Sequence, residues 1–221
     1  MKIHHEGTNI LVMLFIVLAA LNVPVWLFFP PWVIPAIFSG ISVMVYCFVF
    51  NFFRCPHREF HGDSRNLVVS SVDGRVVALE RVYEPEWLHA EALQLSVFMS
   101  PLNVHANWFP TAGEVVYVKH HSGRFLGAYL PKSSTENERS SIGMICDNGQ
   151  RILVRQIAGA MARRIVTYAR VGQHGEISEH LGFIKFGSRV DIYLPLDAEP
   201  LVKIGDYTRG GLTPIAKLKE F

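Results

Sequence analysis

"SIGMICDNGQRILVRQIAG", residues 141–159, decides the fold. Two apolar runs flank Asp147, Asn148 and Gly149, residue types that let a chain reverse within a few positions, so a β-hairpin is predicted here. The stretches around it read in the same way. "LVVSSVDGRVVALERVY" (67–83) is predicted as two strands around Asp73 and Gly74, and "ALQLSVFMS" (92–100) puts Leu93, Leu95, Val97 and Met99 on one face. "GEVVYVKH" (113–120) and "RFLGAYL" (124–130) flank a His-His-Ser-Gly turn. "LVKIGDYTRGGLTPIAKL" (201–218) reads as strand, two glycine turns, strand. One helix is expected at "AMARRIVTYA" (160–169), where Met161, Ile165 and Tyr168 recur at helical spacing and Arg163 and Arg164 turn outward or toward an anion. The expected fold class is therefore mainly β: a compact, glycine-turn-rich barrel or sandwich-barrel hybrid with one or two short helices.

The N-terminal part has a different composition. Although 18% of the chain is charged, no Asp, Glu, Lys or Arg occurs from Ile10 to Phe53. "ILVMLFIVLAALNVPVWLFF" and "WVIPAIFSGISVMVYCFVFNFF" are each about 20 residues, the length of a bilayer-crossing helix, and Pro30 and Pro31 separate them. A hydrophobic helical hairpin over 1–54 is expected to anchor a soluble domain over 55–221. A cleaved signal peptide would account for the small residues of "VLAAL" but not for a second apolar segment of equal length. A re-entrant hairpin is the rival to two spans, because Pro24 and Pro35 can break either helix. Lys2 before the hairpin and Arg54, Arg58 and Arg65 after it predict a cell-membrane protein with its globular domain on the cytoplasmic side.

A net charge of +2 and the lack of a basic stripe with interleaved aromatics argue against nucleic acid as a partner. Cys47, Cys55 and Cys146 show no C-x-x-C spacing for a metal and no even framework for bridges, so reduced thiols are expected.

One dipeptide does not fit a strand. "GFIKFGSRVD" (182–191) places Gly187 and Ser188 between residues that read as one continuous strand. By itself the pair suits a β-bulge. Taken with "SSVDGRV" (70–76), "FMSPLNVHANWFPTAGEV" (98–115), "TENERSS" (135–141) and "RQIAG" (155–159), which occur in matching order, the chain resembles the short, membrane-anchored bacterial and archaeal form of the phosphatidylserine decarboxylases over essentially its whole length.

The resemblance implies that the chain is a proenzyme. The Ser188 hydroxyl would attack the carbonyl of Gly187, leaving a β chain (1–187) and an α chain (188–221) that stay together as a heterodimer. Ser188 would become a covalent pyruvoyl group, needing no separate cofactor. Its ketone would capture the amine of phosphatidylserine, and its conjugated carbonyls would take up the electrons released with carbon dioxide. Glycine leaves the scissile carbonyl open, and a hydroxyl or thiol is required next for the acyl shift. The resemblance further assigns Asp73 and His105 to assist Ser188. Asp73 also reads as a plain turn residue before Gly74. Long forms carry a second histidine three residues after the first, where Trp108 stands here, so His105 serves both roles or His121 or His180 substitutes. Asn137, Arg139, Gln156 and His121 are the candidates for substrate contacts. Acyl-chain preference and higher oligomers stay open. The alternative is a membrane-tethered, non-catalytic β-barrel carrier or adaptor, a reading that leaves Gly187-Ser188 and "SPLNVH" unexplained.

Overall fold

The computed structural model describes residues 2–29, 31–124, 127, 133–159, 164–185 and 188–220, which form two compact units, Met1–His57 and Arg58–Phe221. In the first unit a short antiparallel pair, β1 (Lys2–Ile3) with β2 (Arg54–Cys55), closes the base of two helices, α1 (His5–Phe28) and α2 (Val33–Phe52). At 1.5 Å per residue they extend about 36 and about 30 Å. Both are long and apolar enough to cross a membrane. Pro24 lies in the last turns of α1 and Pro35 in the first turn of α2, where a missing N–H loses no intrahelical bond. Neither helix is broken by its proline. Asn22 ties the two helices together: its Nδ2 donates to Ser42 Oγ (2.9 Å), its Oδ1 accepts from Ser39 Oγ (2.8 Å), and Trp26 Nε1 donates to the same Ser39 Oγ (3.1 Å). Inter-helix bonds of this kind contribute roughly 1 kcal/mol each in a bilayer. Much of the remaining surface, including Leu27 and Phe28, is exposed and apolar, as lipid-facing residues are.

The second unit is built on eight strands in the order β11-β7-β8-β9-β13-β5-β4-β15. These are β4 (Gly74–Glu84), β5 (Ala90–Met99), β7 (Gly113–His121), β8 (Arg139–Cys146), β9 (Arg151–Ala158), β11 (His174–Gly175), β13 (Ser188–Leu194) and β15 (Tyr207–Thr208). Two smaller sheets accompany it. One orders β10 (Arg164–Thr167), β12 (His180–Lys185) and β6 (Ala106–Trp108); the other orders β14 (Glu199–Pro200), β16 (Pro214–Lys217) and β3 (Leu67–Val69). A single helical turn, α3 (Ser133–Glu136), precedes β8.

The mainly β, sandwich-barrel expectation holds, and so does the hairpin that led to it. β8 and β9 pair antiparallel across a turn closed by Cys146 N–H to Gln150 O and Gly149 N–H to Cys146 O (both 2.8 Å). Gly149 occupies φ +82° there, a left-handed conformation that glycine adopts at no steric cost. Period-2 alternation then sorts the side chains. Leu95, Val97 and Met99 of β5, Val190, Ile192 and Leu194 of β13, and Ile152, Val154 and Ala158 of β9 enter one apolar core with Val68, Ile165, Ile184 and Ala216 of the small sheets.

The opposite face of the same strands is buried but polar. Arg155 donates to Glu84 (2.8 Å), Glu86 (2.9 Å) and the Tyr193 hydroxyl (2.6 Å), and Glu86 also receives His121 Nε2 (2.6 Å) and Ser141 Oγ (3.0 Å). Burial alone would raise the Glu84 carboxyl pKa. Hydrogen bonds from the N–H groups of Trp87, Leu88 and Glu86, together with the Arg155 charge, hold it below the ordinary glutamate value. Glu86 is likewise lowered: the His121, Arg155 and Ser141 contacts outweigh its desolvation.

Two expectations change. The helix predicted over 160–169 is not helical where described: Arg164–Thr167 is β10, paired with β12 from Lys185 to Gly182, and Tyr168 and Ala169 follow it without regular structure. The β-branched Ile165, Val166 and Thr167 prefer the pleated surface, and β12 supplies the ladder, which outweighs helical spacing. Met161 and Arg163 lie outside the described residues, as does most of "RFLGAYL", of which Arg124 forms an isolated bridge with Asn137. The second change concerns 182–191. It is not one strand with an interruption: β12 ends at Lys185 in one sheet and β13 begins at Ser188 in another.

Candidate functional site

Ser188 is the first residue of β13, in the middle of the large sheet between Met99 of β5 and Ala158 of β9. It is fully buried, and its hydroxyl donates to Met99 Sδ at 3.0 Å. A thioether is a weak acceptor, so this contact holds the hydroxyl loosely. Gly187 lies outside the described residues. The next residue is clamped: Arg189 Nε donates to Asp191 Oδ1 (2.6 Å), Nη2 to Asp191 Oδ2 (3.0 Å) and also to Ser134 Oγ, and Ser134 Oγ donates to Asp191 Oδ2 (2.8 Å). All three side chains are buried. Positions i and i+2 of a strand share a face, so "RVD" builds this fork locally, on the face opposite Ser188.

His105 is fully buried in the segment between β5 and β6. Its Nδ1 is 2.9 Å from Asn103 O, a carbonyl that can only accept, so Nδ1 carries a proton and donates. Its carbonyl accepts from Ile184 N–H (3.3 Å) and Asn107 Nδ2 (3.1 Å). The structure therefore brings His105 to β12 just ahead of Gly187-Ser188. Asn103 in turn closes a tight turn, with its Oδ1 receiving both the N–H and Oγ–H of Ser100 at 2.9 Å.

Asp73 sits before β4 with both carboxylate oxygens engaged by Arg58 (2.5 and 2.9 Å) and one also by Gly210 N–H (2.9 Å). Arg58 lies over the Trp108 ring at 4.3 Å, and the His180 ring meets that indole edge-on at 5.4 Å. Asp73 is thus paired with a cation and, through it, supports β6.

The polar candidates separate by face. Gln156 is fully buried on the Ser188 side, donating to Asn107 Oδ1 (2.6 Å) and accepting from Thr167 Oγ1 (2.8 Å). Asn137 is fully buried and donates to the carbonyl of Ala158, the register partner of Ser188 (2.7 Å). Arg139 and His121 are register partners on the other face. Arg139 Nη1 donates to Thr135 O (2.7 Å), and burial together with the nearby Arg155 charge lowers its pKa. Cys146 is buried on the core face, and desolvation pushes its thiol up to about 12, where it is unreactive.

Arg58, Met99, Asn107, Thr167 and the Arg189, Asp191 and Ser134 clamp were not singled out from sequence. The i, i+2 Arg/Asp pattern was the available signal for the clamp, whereas nothing local marks Arg58 as the partner of Asp73. The arrangement places a buried hydroxyl at the head of a central strand, flanked by β5 and β9, and a buried imidazole on the segment whose carbonyl accepts from Ile184 N–H.

The family model for phosphatidylserine decarboxylase matches residues 45–216. The chain is 50% identical over 220 residues to a phosphatidylserine decarboxylase proenzyme of Parabacteroides distasonis, covering 100% of both proteins. It is 50% identical over 223 residues to one of Phocaeicola vulgatus (99% of this chain, 96% of the relative) and 49% identical over 222 residues to one of Porphyromonas gingivalis (100% of each).

Proposed function

The chain belongs to the phosphatidylserine decarboxylase family and is an enzyme, and on that premise we propose that it cuts its own backbone between Gly187 and Ser188, converts Ser188 to a pyruvoyl group and then decarboxylates phosphatidylserine to phosphatidylethanolamine. The observation that carries this reading is the place of Ser188: a fully buried hydroxyl whose side-chain partner among the described residues is a thioether, at the head of a strand central to the large sheet.

In the cut, Ser188 Oγ adds to the preceding carbonyl carbon while its proton passes to a base. The C–N bond then breaks and nitrogen takes up a proton, leaving an ester. Loss of the Ser188 α-proton expels the new carboxylate with the C–O bonding electrons, and uptake of water with release of ammonia leaves a ketone. The surroundings fit such a group: Ala158 is small, Met99 is flexible, and complete burial keeps bulk water away. Once formed, the pyruvoyl group supplies the electron sink for loss of carbon dioxide.

His105 is the general base of this reading and later the proton donor. Asp73 acts through Arg58 and Trp108 as a positioning residue for the strand that follows His105. Gln156 and Asn137, locked by their own bonds, position Asn107 and Ala158. Arg139, half-exposed, is the candidate for the anionic groups of the lipid, with His121 beside it.

After the cut, the two pieces stay joined as a heterodimer. β13 remains hydrogen-bonded between β5 and β9, β15 to β4, and β16 to β3. The hairpin confines the enzyme to the membrane that holds its substrate, and its flanking Lys2, Arg54, Arg58 and Arg65 favour the cytoplasmic face.

Denaturing electrophoresis and the mass of the carboxy-terminal fragment test the reading. Active protein should show a fragment starting at residue 188 with a blocked, pyruvoyl-bearing terminus, and Ser188→Ala should stay whole and inactive. Turnover by Ser188→Ala, or active protein with the 187–188 bond intact, would overturn it.

A further inference from the structure

The proposed cut changes what holds residue 188. Before it, peptide bonds on both sides fix the residue in register with Met99 of β5 and Ala158 of β9. After it, residue 188 is the end of a chain. Its conversion to a ketone also removes its nitrogen, so the first backbone N–H of the α chain belongs to Arg189. Chain ends open locally at little cost in free energy, whereas a reacting group displaced by about 1 Å loses about 100-fold in rate. The group that does the chemistry is then the one most prone to fraying.

The clamp on Arg189 lies one residue past that end. The guanidinium forks onto Asp191 (Nε to Oδ1 2.6 Å, Nη2 to Oδ2 3.0 Å), and both residues belong to the α chain. Ser134 belongs to the β chain: its Oγ accepts from Arg189 Nη2 and donates to Asp191 Oδ2 (2.8 Å), so these two bonds cross between the products. Arg189 is 3% exposed, Asp191 0% and Ser134 6%, and water does not compete for the charge-assisted bonds they make.

The β-chain side of the clamp is anchored on the same rung of the sheet. Ser134 stands in α3, and the residues after it return to Ala158: Asn137 Nδ2 donates to Ala158 O (2.7 Å), and Ala158 N–H donates to Glu138 O (2.9 Å). Arg124 braces this segment, its N–H donating to Glu136 O (2.8 Å) and its carbonyl accepting from Glu138 N–H (3.0 Å). Ser134 is therefore carried by a segment tied to the register partner of residue 188. The Arg189 side chain projects to the opposite face from that of residue 188, so the clamp holds the new end without touching the reacting atoms.

We propose that Ser134 and Arg189 are positioning residues for turnover: with Asp191 they staple the β chain to the second residue of the α chain and keep the pyruvoyl end in register with Met99 and Ala158. The inference rests on the proposed conversion of Ser188. It assigns the staple to the cut enzyme and not to the cutting, because chain continuity holds residue 188 until the bond before it breaks.

Ser134→Ala removes the link between the chains and keeps the Arg189–Asp191 pair. With the full chain in vesicles of phosphatidylcholine and phosphatidylserine, the cut variant should have kcat lowered about tenfold, the scale of one charge-assisted hydrogen bond, and KM unchanged. On a gel its fragment starting at residue 188 should appear at the wild-type rate. Wild-type kcat in the cut variant, or cutting slowed as much as turnover, would overturn the proposal. Hydrogen exchange followed by mass spectrometry needs no turnover: Ser134→Ala should speed exchange at the amides of 189–191 about tenfold in the cut enzyme and leave it unchanged in the uncut Ser188→Ala chain. Equal acceleration in both, or none in either, would leave the clamp a plain element of fold stability and sink the assignment. Active wild-type protein with the 187–188 bond whole would instead defeat the reading of Ser188, before any variant is compared.

Discussion

His105 carries most of the chemical argument at the residue scale. With Nδ1 committed to Asn103 O, the ring is fixed in one orientation. His105→Gln keeps a polar side chain but no titratable nitrogen. It should slow appearance of the fragment starting at residue 188 by about 100-fold or more, the scale of general-base catalysis. Time-resolved electrophoresis of freshly translated protein measures this, and cleavage at the ordinary rate would move the base role elsewhere. Ser188 and His105 are singled out in the sequence through the family resemblance that "FGSRVD" and "SPLNVH" help to carry, since by itself the Gly187-Ser188 pair suits a β-bulge. The true setting of Asp73 could not be read there, because its partner Arg58 lies 15 residues away in a segment without periodicity.

The stretch 182–185 shows at the scale of the element what sequence periodicity misses. Gly182 of β12 lets β10 approach closely: a Cβ there would lie 2.4 Å from Val166 O and 2.6 Å from Gln156 Nε2. Backbone cannot give way as a side-chain tip can, so Gly182→Ala should destabilise the chain by about 1–3 kcal/mol. It should also displace the Gln156 bond to Asn107 that lies under His105. Thermal melting in detergent, with the rate of self-cleavage read alongside, checks both effects. The 141–159 hairpin was legible because alternation and turn chemistry agree within one short window. β10 was not, because its helical spacing is a local signal and the partner that makes it a strand, β12, lies beyond an intervening turn.

Acid is the informative perturbation for the whole molecule. Glu84 and Glu86 sit below the ordinary value of 4.5 in the folded chain. Their contribution is therefore present above that value and is lost as pH falls through the lowered folded values. Between about pH 6 and pH 3 the melting temperature should fall, and Glu86→Gln should start lower and fall less steeply. A parallel pH profile would mean that Glu86 titrates alike in the folded and unfolded chains. Arg155 binds this cluster from β9, so protonation loosens the β4–β5 connection from the sheet it covers.

The strands that follow residue 187 are not a detachable tail. One fills the centre of the largest sheet, another extends its edge, and others complete a separate small sheet. A nick at their start therefore leaves a non-covalent complementation pair, whose short partner resists dialysis and gel filtration in native buffer. An affinity handle on the last residue would retrieve the membrane hairpin as well, until denaturant releases it.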